Sequence, residues 1–300
     1  MQSPRCSRKP LPLAATPSFT ESFSALAQNY DAVLSDVWGV VHNGVVATPS
    51  ACEALTRFRE QGGTVMLITN APRPGATVVK FIDKVGVPHA AYDGIVSSGD
   101  VTRNVMAARP DKNVFHIGPE RDLPIFDGLG LNFVPLQQAD YVVCTGLTDD
   151  TVETPESYRA LLTDIKKRGL FLLCGNPDLV VERGDKLVYC AGALADLYGS
   201  LGGEVLYAGK PHRPIYDLAL EKVAKARGKP VEPGRVLAIG DSVRTDVSGA
   251  IARGLDCLFV TAGIHAEELG ERHAPDPEAL KKMFAGAGVM PTAVMPRLQW

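Results

Sequence analysis

Short apolar runs of strand length alternate with amphipathic segments along most of this chain, and this alternation restricts the fold more than any other feature. Residues 31–37 and 64–69 are predicted strands, whereas residues 49–61 and 75–85 carry apolar residues at helical spacing. Parallel strands need a connection of about a dozen residues or more, which is usually a helix. The pattern therefore predicts an α/β fold built on parallel sheets.

The strands and helices divide most simply into a core formed by both ends of the chain and an inserted unit. We expect residues 18–97 and 206–300 to form the core domain and residues 98–205 to form an α/β cap domain. Residues 1–17 are basic and rich in proline, with too short an apolar stretch for a secretory signal, and they are expected to be a flexible leader. Residues 291–300 show no helical period and are expected to run over the surface.

Charge and hydropathy exclude several classes of protein. The 300 residues include 31 Lys and Arg and 34 Asp and Glu, a net charge of −3, so nothing favours binding to nucleic acid or to a membrane surface. No apolar run approaches the roughly 18–20 residues that would span a bilayer. The six cysteines form no CxxC pair, which argues against a zinc ribbon and fits a reducing, cytoplasmic location.

Ligands of open α/β sheets bind at the carboxyl ends of the strands, so polar residues at those positions are candidates for a site. Asp36 follows the first apolar run and precedes a turn that contains glycine. A carboxylate there loses hydration energy unless it binds a cation or takes part in chemistry. The alternative is a carboxylate that only stabilises the turn.

Two further segments suit a phosphate group. Thr69 and Asn70 follow the second strand and offer a hydroxyl, an amide and backbone N–H groups before a helix, although an ordinary helix cap would look the same. Lys210 precedes a proline and a helix, where it either neutralises a phosphoryl group or a carboxylate or is a solvated loop lysine.

The fourth segment carries two acids around a glycine turn. An apolar strand leads into Gly240 and Asp241, and Asp246 follows in the first turn of a helix. Two carboxylates in this setting are typical of a site for a hard cation. Helix capping alone is an alternative explanation for Asp246.

The order and spacing of these four segments resemble the motifs of the haloacid dehalogenase (HAD) superfamily of phosphatases, from about residue 30 to residue 265. LSDVWGV resembles its nucleophile motif, LITN its second motif, GKP its lysine motif and GDSVRTD its acidic metal motif. The long interval between Thr69 and Lys210, with NPD at residues 176–178, resembles class IIA, whose members carry a large α/β cap there.

The resemblance implies a Rossmann-like parallel-sheet core, an inserted cap and Mg²⁺-dependent phosphatase chemistry. Asp36 would attack phosphorus and form an aspartyl-phosphate. The other roles implied are Mg²⁺ binding by Asp36, the backbone carbonyl of Trp38, Asp241 and Asp246, phosphoryl binding by Thr69 and the backbone N–H of Asn70, and charge compensation by Lys210.

The chain departs from the family pattern at position 38. Phosphatases of this family usually carry a second Asp two residues after the nucleophile, as a general acid and then base, whereas this chain has Trp38. An indole N–H cannot shuttle a proton near neutral pH. We hypothesise that His42 supplies the proton, the alternative being a surface loop histidine. Trp38 itself either packs under the cap or stacks on bound substrate.

The sequence thus leads to a Mg²⁺-dependent phosphatase acting on a small phosphorylated metabolite, with Asn176 and Asp178 as substrate contacts and His212 and Arg213 as weaker candidates. A full-size cap implies a closed site and therefore a small substrate. The alternative is a protein that keeps the fold and metal site but has little turnover and instead binds a phosphate ligand or a partner. The class resemblance also suggests a homodimer.

Overall fold

The computed structural model describes residues 18–183, 186–271 and 274–300, so the expected leader at 1–17 lies outside the described residues. The strands are β1 Ala32–Asp36, β2 Thr64–Thr69, β3 Gly94–Ser97, β4 Asn113–Ile117, β5 Asn132–Phe133, β6 Tyr141–Cys144, β7 Leu172–Cys174, β8 Val180–Arg183, β9 Lys186–Tyr189, β10 Val205–Tyr207, β11 Val236–Gly240, β12 Asp256–Val260, β13 Gly270–Glu271, β14 Ala274–Pro275 and β15 Ala293–Met295. The α-helices are α1 Ser24–Ala27, α2 Pro49–Glu60, α3 Gly75–Lys84, α4 Ser98–Ala108, α5 Arg159–Lys167, α6 Ala191–Ser200, α7 Arg213–Arg227, α8 Ser248–Ala252 and α9 Pro277–Ala287.

Two parallel sheets organise these elements. The larger sheet has the order β15-β12-β11-β1-β2-β3, and every neighbouring pair in it is parallel. The second sheet has the order β10-β7-β6-β4-β5 and is also parallel throughout. The prediction of an α/β, Rossmann-like fold with parallel sheets is therefore confirmed.

The central strands of the larger sheet are buried on both faces. Every residue of β1 and β2 is buried, which explains why apolar residues dominate both strands. Val33 packs with α2 and α3 on one face, whereas Leu34 on the opposite pleat packs with α7 on the other. Because helices pack on both faces of the sheet, these strands cannot shift, and the residues at their carboxyl ends are held in place.

The strands of the two sheets come from the expected parts of the chain. The second sheet takes its strands from residues 113–207, and β10 continues two residues past the predicted boundary at 205. The division into two domains and the homodimer stay predictions. No helix in the described ranges combines the length and the apolarity that a membrane span requires.

The expectation that residues 291–300 run over the surface is wrong. Ala293–Met295 is β15, which pairs with β12 and forms one edge of the larger sheet. Leu298 is buried, and the Trp300 ring meets the Phe23 ring edge-on with centroids 5.8 Å apart. Three strand residues are too few to produce a periodic signal, and their burial depends on a neighbouring strand that is distant in the sequence.

Candidate active site

Three carboxylates converge at the carboxyl end of the larger sheet. Asp36 ends β1, Asp241 follows β11, and Asp246 lies in the π-helical turn Val243–Val247. Each offers an oxygen within 4.8 Å of the others, and the three residues are 7%, 5% and 2% exposed. Residues 205 positions apart are thus brought together because β1 and β11 are neighbours in the sheet.

Glycines let the backbone come close to these carboxylates. A Cβ atom on Gly39, whose φ is +84°, would overlap the Asp241 carboxylate. A Cβ on Gly263 would overlap the same carboxylate, and one on Gly240 would overlap Asp246. The cluster therefore sits in a close-fitting backbone cradle, which any side chain at these glycines would disturb.

Lys210 joins two of the acids. Its Nζ donates to Asp36 Oδ1 at 2.6 Å and to Asp246 Oδ1 at 2.7 Å, and the side chain is 2% exposed. Burial alone would lower the pKa of Lys210, but the neighbouring Asp246 and Asp36 carboxylates outweigh it and raise that pKa well above its usual value. Lys210 is therefore a fixed positive charge within the cluster.

One lysine does not neutralise three acids. Burial, opposed by Lys210 and reinforced by Asp246, raises the pKa of Asp36 to about 7. Burial and the charges of Asp36 and Asp246 raise the pKa of Asp241 well above its usual value. Buried carboxylate oxygens with excess negative charge suit a hard divalent cation such as Mg²⁺. The donor set therefore fits a metal ion held by Asp36, Asp241 and Asp246.

Thr69 and Asn70 lie beside the acids, at the end of the neighbouring strand β2. The Asn70 amide oxygen accepts from the Lys210 backbone N–H at 2.7 Å, and its Nδ2 donates to the Lys210 carbonyl at 3.1 Å and to Asp178 Oδ1 at 2.9 Å. The Asn70 side chain is thus a bridge between three segments, and α3 begins after Pro74. Its backbone N–H as a phosphate ligand stays a prediction.

A cavity of about 420 Å³ opens over this cluster. Its lining includes the polar side chains of Asp36, His42, Thr69, Asn70, Asp178, Lys210, Asp241, Arg244, His265 and Arg297. A second cavity of about 530 Å³ adjoins it and shares Trp38, His42, Thr69, Asp178 and Val181. Asn176 lines the second cavity, whereas neither His212 nor Arg213 is among the described lining residues of either.

Trp38 stands between the two cavities. Its ring is parallel to that of Phe81, with centroids 6.4 Å apart, and meets the His42 ring edge-on at 5.1 Å. Gly44, with φ +89°, leaves room for the indole, because a Cβ there would collide with it. The Trp38 side chain therefore packs on its own loop while one part of it faces the cavities.

The hypothesis that His42 donates the proton does not fit this geometry. His42 is 1% exposed, so it is not a surface histidine either. Its Nδ1 accepts the Gly44 backbone N–H at 2.8 Å, and burial lowers its pKa to about 4. An imidazole with this pKa is neutral near pH 7 and carries no acidic proton to give. Loop packing against Trp38 and Phe81, which the sequence pattern did not indicate, is the physical reason.

Sequence reasoning missed several residues that the structure brings to the cavity. Arg244, His265 and Arg297 line it from three different segments. Arg244 lies within the GDSVRTD segment, so its position carried a signal. His265 and Arg297 follow strands whose place in the sheet only the fold reveals.

Comparisons with known proteins agree with this arrangement. Residues 33–132 match a family model described as haloacid dehalogenase-like hydrolase, and residues 207–285 match a HAD-hydrolase-like model. The crystal structure of a hydrolase of the haloacid dehalogenase-like family from Brucella suis 1330 is similar to this chain with a TM-score of 0.83 and 48% identity, covering 93% of this chain and 100% of that one.

Two curated relatives are more distant. D-glycerol 3-phosphate phosphatase of Mycobacterium tuberculosis is 28% identical over 246 residues, and the match covers 81% of this chain and 66% of the relative, slightly less than two thirds of its length. Ribonucleotide monophosphatase NagD of Escherichia coli K12 is 22% identical over 240 residues, covering 77% of this chain and 88% of the relative.

Proposed function

The chain belongs to the haloacid dehalogenase-like hydrolase family, and from this membership we propose that it is a Mg²⁺-dependent phosphatase that hydrolyses a small phosphorylated metabolite through an aspartyl-phosphate intermediate. The observation that carries the proposal is the Asp36 carboxylate, which faces a 420 Å³ cavity with Lys210 and two further acids around it. The curated relatives, which are named as phosphatases of glycerol 3-phosphate and of ribonucleotides, support a phosphomonoester as substrate.

Asp36 is the proposed nucleophile. Lys210 holds its Oδ1, so that Oδ2 is the oxygen left to attack phosphorus. A bond then forms between Oδ2 and phosphorus while the ester P–O bond breaks. Water attacks the phosphorus of the aspartyl-phosphate in the second step, which releases phosphate and restores the Asp36 carboxylate.

The remaining residues position the group that is transferred. The Thr69 hydroxyl and the Asn70 backbone N–H are proposed to bind the phosphoryl oxygens, and Lys210 offsets negative charge between Asp36 and the phosphate. Asp36, Asp241, Asp246 and the Trp38 carbonyl are the proposed Mg²⁺ ligands. When bound, the cation supplies positive charge that offsets the negative charge of the site.

The size of the cavity limits the substrate. About 420 Å³ lies at the lower end of small-molecule sites. Leu179, Val180 and Val181, at the start of β8, line this cavity. The part of the substrate beyond the phosphate would therefore meet apolar side chains. A small phosphorylated metabolite fits this space.

The test is hydrolysis of 4-nitrophenyl phosphate with Mg²⁺ and with EDTA. We expect Mg²⁺-dependent turnover that falls at least about 10³-fold in Asp36→Asn, because the nucleophile is lost. Asp164→Asn on α5, an exposed carboxylate far from the cluster in the sequence, is the matched control and should keep full activity. Equal activity of Asp36→Asn and the wild type would refute the proposed nucleophile.

Trp38 favours one alternative function. It occupies the position at which the family resemblance implies a second catalytic acid, so a protein that binds a phosphate ligand with little turnover is the second candidate. Binding of inorganic phosphate and Mg²⁺ by calorimetry, without turnover of any phosphomonoester by the wild type, would support this alternative over the enzyme.

A further inference from the structure

The proposed reaction needs a group that moves protons. An alkoxide is a poor leaving group unless it is protonated, and water attacks an acyl phosphate slowly unless a base removes its proton. Resting on the proposed function, we propose that Asp178 is the general acid and then the general base of this site, giving a proton to the leaving oxygen and taking one from the attacking water.

Most ionisable groups that line the reacting cavity have other roles. Asp36 and Asp241 belong to the acidic cluster, and Lys210 is a fixed cation whose Nζ is engaged by two carboxylates. Arg244 and Arg297 stay charged at any relevant pH and cannot exchange protons. None of these five side chains suits the proton transfer.

The two histidines of the lining are also unsuited. His42 is buried and neutral, with Nδ1 accepting from Gly44. His265 uses both ring nitrogens, because Nε2 accepts the Val243 backbone N–H at 3.4 Å and Nδ1 pairs with Glu268 at 3.2 Å. Asp178 is the titratable group of the described lining that is left.

Asp178 has one carboxylate oxygen anchored and one available. Its Oδ1 accepts the Asn70 Nδ2–H at 2.9 Å, and Asn70 in turn holds the backbone of Lys210. Among the described residues, no hydrogen-bond donor reaches Oδ2. The side chain lines both cavities together with Trp38, at the place where the larger cavity continues from the acidic cluster. Asp178 therefore borders the space that both cavities offer to a leaving group.

Hydrogen bonds also fix the backbone of Asp178. Its N–H donates to Asn176 Oδ1 at 3.1 Å, and its carbonyl accepts the Gly192 N–H at 3.1 Å. A Cβ on Gly192 would overlap the carbonyls of Pro177 and Asp178, so the loop lies directly against the start of α6. Such positioning is what general acid–base catalysis requires of a side chain.

The charges that face Asp178 are compatible with both protonation states. Burial raises the pKa of the Asp178 carboxyl. The positive charges of Lys210 and Arg244 and the hydrogen bond from Asn70 oppose this rise, whereas the negative charge of Asp246 adds to it. A carboxyl group with a raised pKa is a better acid–base catalyst near neutral pH than a solvated one.

The two steps balance. In the first, Asp36 bonds to phosphorus, the ester P–O bond breaks, and the leaving oxygen takes the proton of the Asp178 carboxyl group. In the second, the Asp178 carboxylate takes a proton from water while the water oxygen bonds to phosphorus. The bond between phosphorus and the Asp36 oxygen then breaks, phosphate leaves, and Asp178 is again protonated.

The test compares two substrates of similar size on Asp178→Asn, which keeps an acceptor for the Asn70 amide. For benzyl phosphate, whose leaving group is an alkoxide, we expect kcat/KM to fall about 10²-fold or more. For 4-nitrophenyl phosphate, whose leaving group needs no proton, kcat/KM should fall less than about 5-fold. A burst of nitrophenolate followed by slow turnover should appear, because hydrolysis of the phosphoenzyme lacks its base.

Two further variants separate proton transfer from structure. Asp178→Glu restores a carboxyl group and should recover benzyl phosphate activity selectively, together with the pH dependence that Asp178→Asn removes. Asp164→Asn on α5, which lines neither cavity, is the matched control and should leave kcat/KM for both substrates unchanged. Thermal unfolding of each variant verifies folding.

The outcomes distinguish the two proposals. Equal losses on both substrates, or an unchanged kcat/KM for benzyl phosphate, overturn the role of Asp178 while leaving the phosphatase intact. A wild type without turnover of any phosphomonoester overturns the proposed function, and the role of Asp178 with it. Selective loss on benzyl phosphate, with a burst on the nitrophenyl ester, supports the assignment.

Discussion

The floor and the roof of the reacting cavity are built in opposite ways. On the floor, Asp36, Lys210 and Asp241 are each under 10% exposed and held by hydrogen bonds. The roof, residues 178–183 and 186–189, contributes Asp178 and the apolar residues 179–181 to the cavity, and Leu187 in it is 64% exposed. Buried charges are stable only with fixed partners, whereas apolar residues on a partly exposed hairpin have no such requirement.

The contrast teaches where change is tolerated. A substitution on the floor removes a partner from a buried charge, and this affects both the fold and the chemistry. A substitution on the roof alters contacts to the part of the substrate that varies between phosphomonoesters. If the proposed function holds, we expect the floor to determine the reaction and the roof, apart from Asp178, to select the substrate.

The largest expected effect is on the floor. Lys210→Met leaves Asp36 and Asp246 without their cation and should lower the free energy of unfolding by about 3–5 kcal/mol at pH 8 without Mg²⁺. Urea denaturation measures the change, and activity should be lost as well. Lys167→Met, at an exposed position of α5, is the control and should change stability by less than about 0.5 kcal/mol. Similar stabilities of the two variants would remove the distinction between floor and surface.

The next effect concerns pH and metal. The folded pKa of Asp36, about 7, lies above its unfolded value, so the metal-free folded protein binds a proton that the unfolded chain has released. This contribution to stability is complete below about pH 4 and is lost as the pH rises through about 7. When the carboxylates of Asp36, Asp241 and Asp246 are ionised they repel one another, and only then does bound Mg²⁺ offset a repulsion between them.

We therefore expect saturating Mg²⁺ to raise Tm by about 5 °C at pH 8 and by much less at pH 5. Differential scanning calorimetry at the two pH values, in Mg²⁺ and in EDTA, measures the difference. A Tm gain that is equal at both pH values would show that ionisation of the buried acids does not control metal binding.

A smaller effect tests the glycine cradle. Gly263→Ala places a methyl group against the Asp241 carboxylate and should weaken Mg²⁺ activation at least about tenfold, which a titration of activity against Mg²⁺ measures. Gly286→Ala in α9 meets no atom within 4 Å. It should leave Mg²⁺ activation unchanged and stabilise the protein by about 0.5–1 kcal/mol. Equal Mg²⁺ activation of the two variants would show that close packing around Asp241 does not affect metal binding.

The smallest effect is on the roof. Leu187→Ser replaces an exposed side chain and should change the free energy of unfolding by less than about 0.5 kcal/mol, with kcat for 4-nitrophenyl phosphate unchanged. A loss above 1 kcal/mol would mean that the β8–β9 hairpin supports the fold and that the comparison between floor and roof is overstated.

Local chemistry made much of the floor predictable. Asp36, Thr69 and Asp241 each lie at the end of a mainly apolar run, and parallel strands place such residues along one edge of a sheet. Lys210 was found through the motif that it resembles, but its simultaneous contact with Asp36 and Asp246 was not. That contact depends on four segments whose relative positions only packing defines.

The errors lie where no local pattern exists. His42 lines both cavities, but its ring is buried beside Trp38 and Phe81, which no local pattern indicates. The hairpin β8–β9 and helix α9 are not among the elements predicted from the sequence. The local sequence around Asn70 indicates a phosphate ligand or a helix cap, and its hydrogen bond to Asp178 depends on a contact between residues 108 positions apart.

The sequence by itself determined the class of fold, the edge of the sheet that carries the chemistry and the acids that meet there, because runs of apolar residues and the polar residues that end them are local properties. Only the tertiary structure decided which charges pair, which histidine is buried and which carboxyl from the segment between β7 and β8 reaches the cavity. Pairing and pKa depend on distance and burial, and residues far apart in the chain supply both.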